Sequence, residues 1–89
     1  MTYQLTVARS AARALTDQLP EPVAAAALEF LTGPLLENPH RVGKRLRPPL
    51  EGRWSARRGQ YRIIYAIHED DELVVVLQIS HRSDAYGSP

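Results

Sequence analysis

Eighty-nine residues, 44% hydrophobic and 24% charged, read as a single domain over residues 1–89 with one core, in the range of ordinary globular proteins. No apolar run approaches the roughly 18 residues of a membrane span, the N-terminus lacks the basic-then-apolar order of a secretory leader, and the absence of cysteine excludes disulfides and thiolate metal sites. A cytoplasmic location without membrane contact is the expectation. The net charge of +1 hides a strong asymmetry: between positions 41 and 62 eight Lys or Arg face the single acid Glu51, so that block stands at +7 between two acidic flanks.

In chain order, Tyr3 to Ala8 alternates and is rich in β-formers, which predicts a first strand. Ser10 is the predicted N-cap of a helix through Ala11, Ala14, Leu15 and Leu19, ended by Pro20 and Pro22. A second helix is predicted from Pro22 or Val23, with Val23, Ala27, Phe30 and Leu31 at helical spacing. Gly33-Pro34 interrupts it, residues 35–38 add a turn, and Asn38-Pro39 ends it. His40 to Pro49 reads as a basic connection in which Pro48-Pro49 excludes an interior strand. Strands are then predicted near Arg53 to Arg57, from Gln60 to His68, and from Leu73 to Ile79, joined by a tight turn at Arg58-Gly59 and an acidic loop Glu69–Glu72 that reads as a solvated turn. The last strand is apolar on both faces and so central, and the chain leaves the sheet from Ser80 onward to a frayed end at Gly87-Ser88-Pro89. The order β-α-α-β-β-β predicts an α+β fold, a helical hairpin packed on one face of a mostly antiparallel four-stranded sheet, with the other face open to a ligand.

Within RWSARRGQYRIIYAIH, residues 53–68, Tyr61, Ile63, Tyr65 and Ile67 alternate with Arg62, Ile64, Ala66 and His68. A period of two assigns the first set, with Trp54, to the core and Arg62 to the opposite face near the sheet centre. A guanidinium there keeps its charge at neutral pH and offers about five donors to an anion. Arg53, Ser55 and Arg57 share that face on the preceding strand, and Arg82 and Tyr86 follow the last one. A set of cations and one phenol suits RNA cleavage by the RNA's own 2′-hydroxyl, which needs in-line placement and neutralisation of a phosphate gaining charge. An aromatic ring can hold a splayed base. Lys44, Arg45 and Arg47 read as general RNA-binding charge. His81 is the candidate for proton transfer, because its unperturbed pKa lies near about 6.5. Phosphate-loop and dinucleotide glycine motifs are absent, the three histidines lack metal-ligand spacing, and the acidic loop is too short for a calcium loop, so neither a cofactor nor a metal is expected.

Three stretches carry a family resemblance: Gly43, Lys44 and Leu46 as G-K-x-L; Arg57, Gly59, Tyr61, Arg62 and Tyr65 as R-x-G-x-Y-R-x-x-Y; and His81, Arg82, Asp84 and Tyr86 as H-R-x-D-x-Y. With the chain's length and element order, they resemble the RelE toxins of bacterial toxin–antitoxin pairs. That resemblance implies a microbial-ribonuclease-like fold and a metal-independent, ribosome-dependent endoribonuclease that cuts mRNA in the ribosomal A site. It also implies a RelB-like antitoxin as partner, with operator DNA contacted only through that antitoxin. Position by position, Arg62 matches the arginine that stabilises the transition-state phosphate. Arg82 matches the terminal arginine that stabilises or protonates the leaving group, and Tyr86 the tyrosine that orients the cut nucleotide. Arg53 matches a binding lysine, whereas Ser55 stands where some members carry a second lysine. That departure leaves Tyr86, His81 or a ribosomal group to take the proton, with Arg57 replacing the lost charge. The related ParE toxins share the fold and poison DNA gyrase without nuclease activity, which is the alternative function.

Overall fold

The computed structural model describes residues 2–48 and 52–81. In order these form β1 (Gln4–Val7), α1 (Arg9–Arg13), a π-helical turn (Ala14–Gln18), α2 (Glu21–Thr32), α3 (Pro34–Glu37), β2 (Lys44–Arg45), β3 (Arg53–Arg58), β4 (Tyr61–His68) and β5 (Leu73–His81). The strands make one five-stranded sheet in the order β1-β5-β4-β3-β2. Only β1 runs parallel to its neighbour; the β5–β4, β4–β3 and β3–β2 pairs are antiparallel.

The expected α+β sandwich is therefore present with one strand more than the sequence predicts. The addition, β2, falls inside the basic connection. Lys44 pairs with Ser55 and Arg45 with Trp54, and Leu46 N–H extends the ladder to Arg53 C=O at 2.9 Å. Two residues at a sheet edge have no hydrophobic period to betray them, and a short basic edge strand is how sheets avoid pairing with other chains.

Helical boundaries follow proline and glycine. Pro20 precedes α2 and Pro22 sits in its first turn, where the missing N–H has no intrahelical partner in any case. Gly33 separates α2 from the single turn α3. The expected cap at Ser10 is not made. α1 begins at Arg9, Ala8 is its N-cap without a side-chain hydrogen bond, and the Ser10 hydroxyl instead donates to Leu77 C=O of β5 at 2.9 Å. That carbonyl belongs to a β-bulge: Ile64 pairs with Gln78 and Tyr65 with Val76, which leaves Leu77 unpaired. A hydroxyl reaching the orphan acceptor satisfies a tertiary need that outweighs local capping.

The core lies between the helices and one sheet face. Ala11, Ala27, Leu31 and Leu35 are fully buried from the helical side, and Ile63, Tyr65, Val74 and Val76 from the sheet. The alternation along β4 is as read from the sequence: Tyr61, Ile63 and Tyr65 are buried and Arg62 is exposed. β4 is the middle strand, but Arg62 is its second residue and so lies at the hairpin end of the sheet, not at its centre. β5 extends two residues beyond the predicted end; Ser80 pairs with Arg62 and His81 with Tyr61. Its apolar character on both faces agrees with its place in the sheet, flanked by β1 and β4.

Candidate nucleic-acid interface

The site is built on the β3–β4 hairpin. Gly59 begins its two-residue loop with φ +54°, a left-handed conformation that glycine adopts without a Cβ penalty. The tight turn fixes the register, so Arg57 faces Arg62, Ser55 faces Ile64 and Arg53 faces Ala66. Cross-strand partners share a face. Arg53, Ser55 and Arg57 of β3, Arg62 of β4 and Lys44 of β2 thus project from the face that the helices do not cover. Arg58 and Tyr61 alternate to the helical side.

The same alternation divides the basic block. Arg58 places its guanidinium 4.7 Å from the centre of the Phe30 ring and donates to Arg57 C=O at 3.1 Å. Arg45 lies over Trp54 at 5.5 Å, turned away from Lys44. Both act as cations over aromatic faces that add to packing. The cations of the block still gather at one cleft. It measures about 580 Å³ and is lined by Arg41, Lys44, Arg47, Arg57 and Arg62 together with Ser55; Arg45 and Arg58 also border it, and among the described residues no carboxylate does. The Arg62 side chain makes no hydrogen bond or ion pair with a described residue. Arg41 was not singled out in the sequence, although the +7 block contains it.

What holds the β2 side of the cleft in place is a close approach. Tyr65 Oη donates to Pro39 C=O at 2.6 Å, and burial, opposed by the Arg58 charge, pushes the phenol up to about 12, so it stays a neutral donor. Gly43 lies directly against that hydroxyl. A Cβ at position 43 would meet Tyr65 Oη, would come 2.8 Å from Ser55 C=O, and would lie 3.1 Å from Tyr65 Cζ. The motif glycine and the motif tyrosine are therefore one packing unit that seats residues 39–43 and delivers Lys44 beside Ser55.

A second cluster braces the far side of the same connection. His40 Nε2 is 2.6 Å from Glu69, Tyr3 Oη donates to Glu69 at 3.1 Å, and His40 meets the Trp54 ring edge-on at 5.4 Å. Trp54 stacks on Tyr65 at 6.4 Å. The His40 hydrogen bond holds the Glu69 carboxyl below its ordinary range, and the proximity of Glu69 contributes to raising Tyr3, though desolvation is the larger cause there. The acidic loop thus takes part in a tertiary contact through Glu69, where the sequence suggested only a solvated turn.

His81 is the partner of Tyr61, and Tyr61 Oη reaches Ala26 C=O of α2 at 3.3 Å. The register consequently puts His81 on the helical face, across the sheet from Arg62. His68 does share the face of Arg62, but six residues along a strand correspond to about 20 Å. Arg82 and Tyr86 lie outside the described residues, as does Asp84. The structure thus brings Arg53, Ser55, Arg57, Lys44 and Arg62 to one face, adds Arg41, Arg45 and Arg47 along the cleft lining, and separates His81 from them.

Residues 6–86 match the family described as the ParE toxin of type II toxin–antitoxin systems. The chain is 51% identical over 84 residues to the toxin RelE of Mycobacterium tuberculosis, an alignment spanning 94% of this chain and 86% of that one. It is 44% identical over 86 residues to the toxin RelG of the same organism, spanning 97% and 98%. Among solved structures, the RelBE2 toxin–antitoxin complex of M. tuberculosis contains a chain that superposes with a TM-score of 0.89 at 43% identity, over 92% of this chain and all of that one.

Proposed function

The chain belongs to the RelE/ParE family of toxins of type II toxin–antitoxin systems, and from that premise we propose that it is an endoribonuclease that cuts mRNA in the ribosomal A site. The observation that carries this reading is the cationic cleft on the uncovered sheet face, lined by Arg62 and by no carboxylate among the described residues. A guanidinium without a described counter-charge suits a phosphate.

In this reading the strand lies across the open face with its scissile phosphate at Arg62. The 2′-hydroxyl attacks the adjacent phosphorus, the bond to the 5′-oxygen of the next nucleotide breaks, and the products are a 2′,3′-cyclic phosphate and a 5′-hydroxyl. No metal enters the scheme. Arg62 neutralises the charge that builds on the phosphate oxygens, worth about 10²–10³-fold for one such donor. Arg57 and Lys44 lower the same potential from the neighbouring strands, Ser55 offers a hydroxyl, and Arg53, Arg41 and Arg47 hold the flanking backbone. Arg82 stabilises the departing 5′-oxygen, which takes up a proton from water to become the 5′-hydroxyl, and Tyr86 stacks on the cut nucleotide. The proton of the 2′-hydroxyl goes to Tyr86 or to a ribosomal group, since the register turns His81 to the opposite face.

The partner in this reading is a RelB-like antitoxin, as in the RelBE2 complex to which the fold is similar. An acidic, partly disordered segment folding over the basic face would block RNA and balance the +7 block together.

Adding the protein to a translation extract and mapping mRNA ends by primer extension tests the reading. New ends at A-site codons are expected; intact mRNA with continuing translation contradicts it. The family match, described by its ParE members, favours one second reading, inhibition of DNA gyrase. That reading requires trapped gyrase-cleaved DNA in a supercoiling assay with mRNA untouched.

A further inference from the structure

We propose that Arg9 and Arg13 form a second RNA-phosphate site at the β5 edge of the sheet, so that the bound strand is gripped on both flanks of Arg62. The inference rests on the RNA-cleaving reading above and adds the course of the strand beyond the cut.

β1 ends at Val7, and from there the helical segment takes over the edge of β5. Ala8 N–H donates to Val76 C=O at 2.8 Å and the Ser10 hydroxyl to Leu77 C=O at 2.9 Å. Beside this junction lies a cleft of about 560 Å³ lined by Arg9, Arg13 and Gln18 from the helical segment and by Gln78 and Ser80 from β5. Arg9 and Arg13 are four residues apart and share one helix face. The next turn is π-helical: Leu19 N–H bonds to Ala14 C=O, five residues back, at 2.9 Å. That wider turn carries Gln18, five residues after Arg13, back toward the same face, which a regular helix would not do. Single π turns recur at functional sites.

The cleft continues the described interface. Ser80 is the direct cross-strand partner of Arg62, and Gln78 that of Ile64. It therefore begins one strand spacing, about 5 Å, from Arg62 on the side away from Arg57 and Lys44. Among the described residues no carboxylate lines it and neither arginine has a partner; Asp17, four positions after Arg13, makes no ion pair with it. Two guanidinium forks suit phosphate oxygens, and the amides of Gln18 and Gln78 with the Ser80 hydroxyl suit a ribose or a further phosphate oxygen. The phosphates are those of the mRNA beside the cut; contact with ribosomal RNA instead is an outcome that the test separates.

The test compares wild type, Arg9→Ala/Arg13→Ala and Arg9→Lys/Arg13→Lys. Binding is followed by fluorescence anisotropy between roughly 50 and 200 mM salt. The ligands are a short single-stranded RNA oligonucleotide, ribosomes without mRNA, and ribosomes programmed with mRNA. Alanine favours helix and both sites lie at the protein surface, so circular dichroism should match wild type. Each phosphate contact to a single strand contributes about 0.7 to the logarithmic salt slope, so losing two lowers the slope by about 1.4. Over the fourfold salt range the difference in affinity then changes by about sevenfold. The lysine pair retains the slope. A loss seen on bare ribosomes assigns the site to ribosomal RNA, and a loss that requires mRNA or the free oligonucleotide assigns it to the message. An unchanged slope with every ligand overturns the proposal while leaving the nuclease reading intact if Arg62→Ala still abolishes cleavage. Wild type that binds no RNA in any arm overturns both.

Discussion

Gly43→Ala is the substitution whose effect the packing defines most sharply. The added methyl would meet three atoms at once: Tyr65 Oη, Ser55 C=O at 2.8 Å and Tyr65 Cζ at 3.1 Å. Two of these belong to a residue that is fully buried, and the third is strand backbone, so none is the free end of a flexible side chain. Relief requires the phenol to move, and the phenol is held by its 2.6 Å hydrogen bond to Pro39 C=O. Overpacking of this kind costs about 1–3 kcal/mol, and a weakened buried hydrogen bond adds about 1 kcal/mol. The sum, about 2–4 kcal/mol, lowers Tm by roughly 8–30 °C for a domain of this size. Tyr65→Phe alone removes the hydrogen bond and should cost about 1–3 kcal/mol, because Pro39 C=O is left without its donor. In the Tyr65→Phe background the closest of the three contacts is gone. Gly43→Ala should then cost about 1 kcal/mol less than it does in wild type, a coupling readable from a double-mutant cycle in urea. Gly59→Ala provides the contrast: its φ of +54° imposes about 1–2 kcal/mol of backbone strain, but nothing lies within 4 Å, so no coupling to Tyr65 is expected. Strict additivity of Gly43→Ala and Tyr65→Phe would refute the packing unit described above.

Other expectations follow from single contacts. Leu31→Ala opens a cavity under the helical layer at a fully buried position and should cost about 2–5 kcal/mol by urea unfolding, with RNA cleavage retained below the new Tm. Arg58→Ala loses the contact over Phe30 and should cost about 0.5–1 kcal/mol, with less effect on RNA affinity than Lys44→Ala. Glu69→Gln tests the His40 contact through pH. The folded-state pKa of Glu69 is depressed, so its stabilisation is fully present above the unfolded value of about 4.3 and is lost as pH falls through the lower folded value. The Tm gap between wild type and Glu69→Gln should therefore narrow as pH drops below about 4.3 and hold above it; a gap widening toward acid would contradict the assignment.

Much of this arrangement was readable from residue order because it follows period and punctuation. Alternation along residues 61–68 placed Arg62 opposite the core, and Gly59 announced the turn that brings Arg57 and Ser55 beside it. Proline and glycine marked both ends of α2. What escaped depends on contacts between distant segments. β2 is two residues long and exists because Gly43 passes under Tyr65 and lets the chain meet β3. Ser10 has every local feature of an N-cap but spends its hydroxyl on a bulge carbonyl 67 residues away. The bulge at Leu77 shifts the facing of β5 by one residue, which keeps Ser80 with Arg62 and turns His81 toward the helices. Glu69 looked like one acid of a solvated turn, and only the fold brings His40 and Tyr3 to it.

The most direct test is the single-turnover rate of mRNA cleavage on programmed ribosomes for wild type against Arg62→Ala, with thermal unfolding measured alongside. Arg62 is exposed and has no described partner, so its removal should leave Tm within about 1–3 °C while lowering the cleavage rate by about 10²–10³-fold or more. An unchanged rate at unchanged stability would mean that the phosphate is not held at Arg62 and that the uncovered basic face serves another purpose.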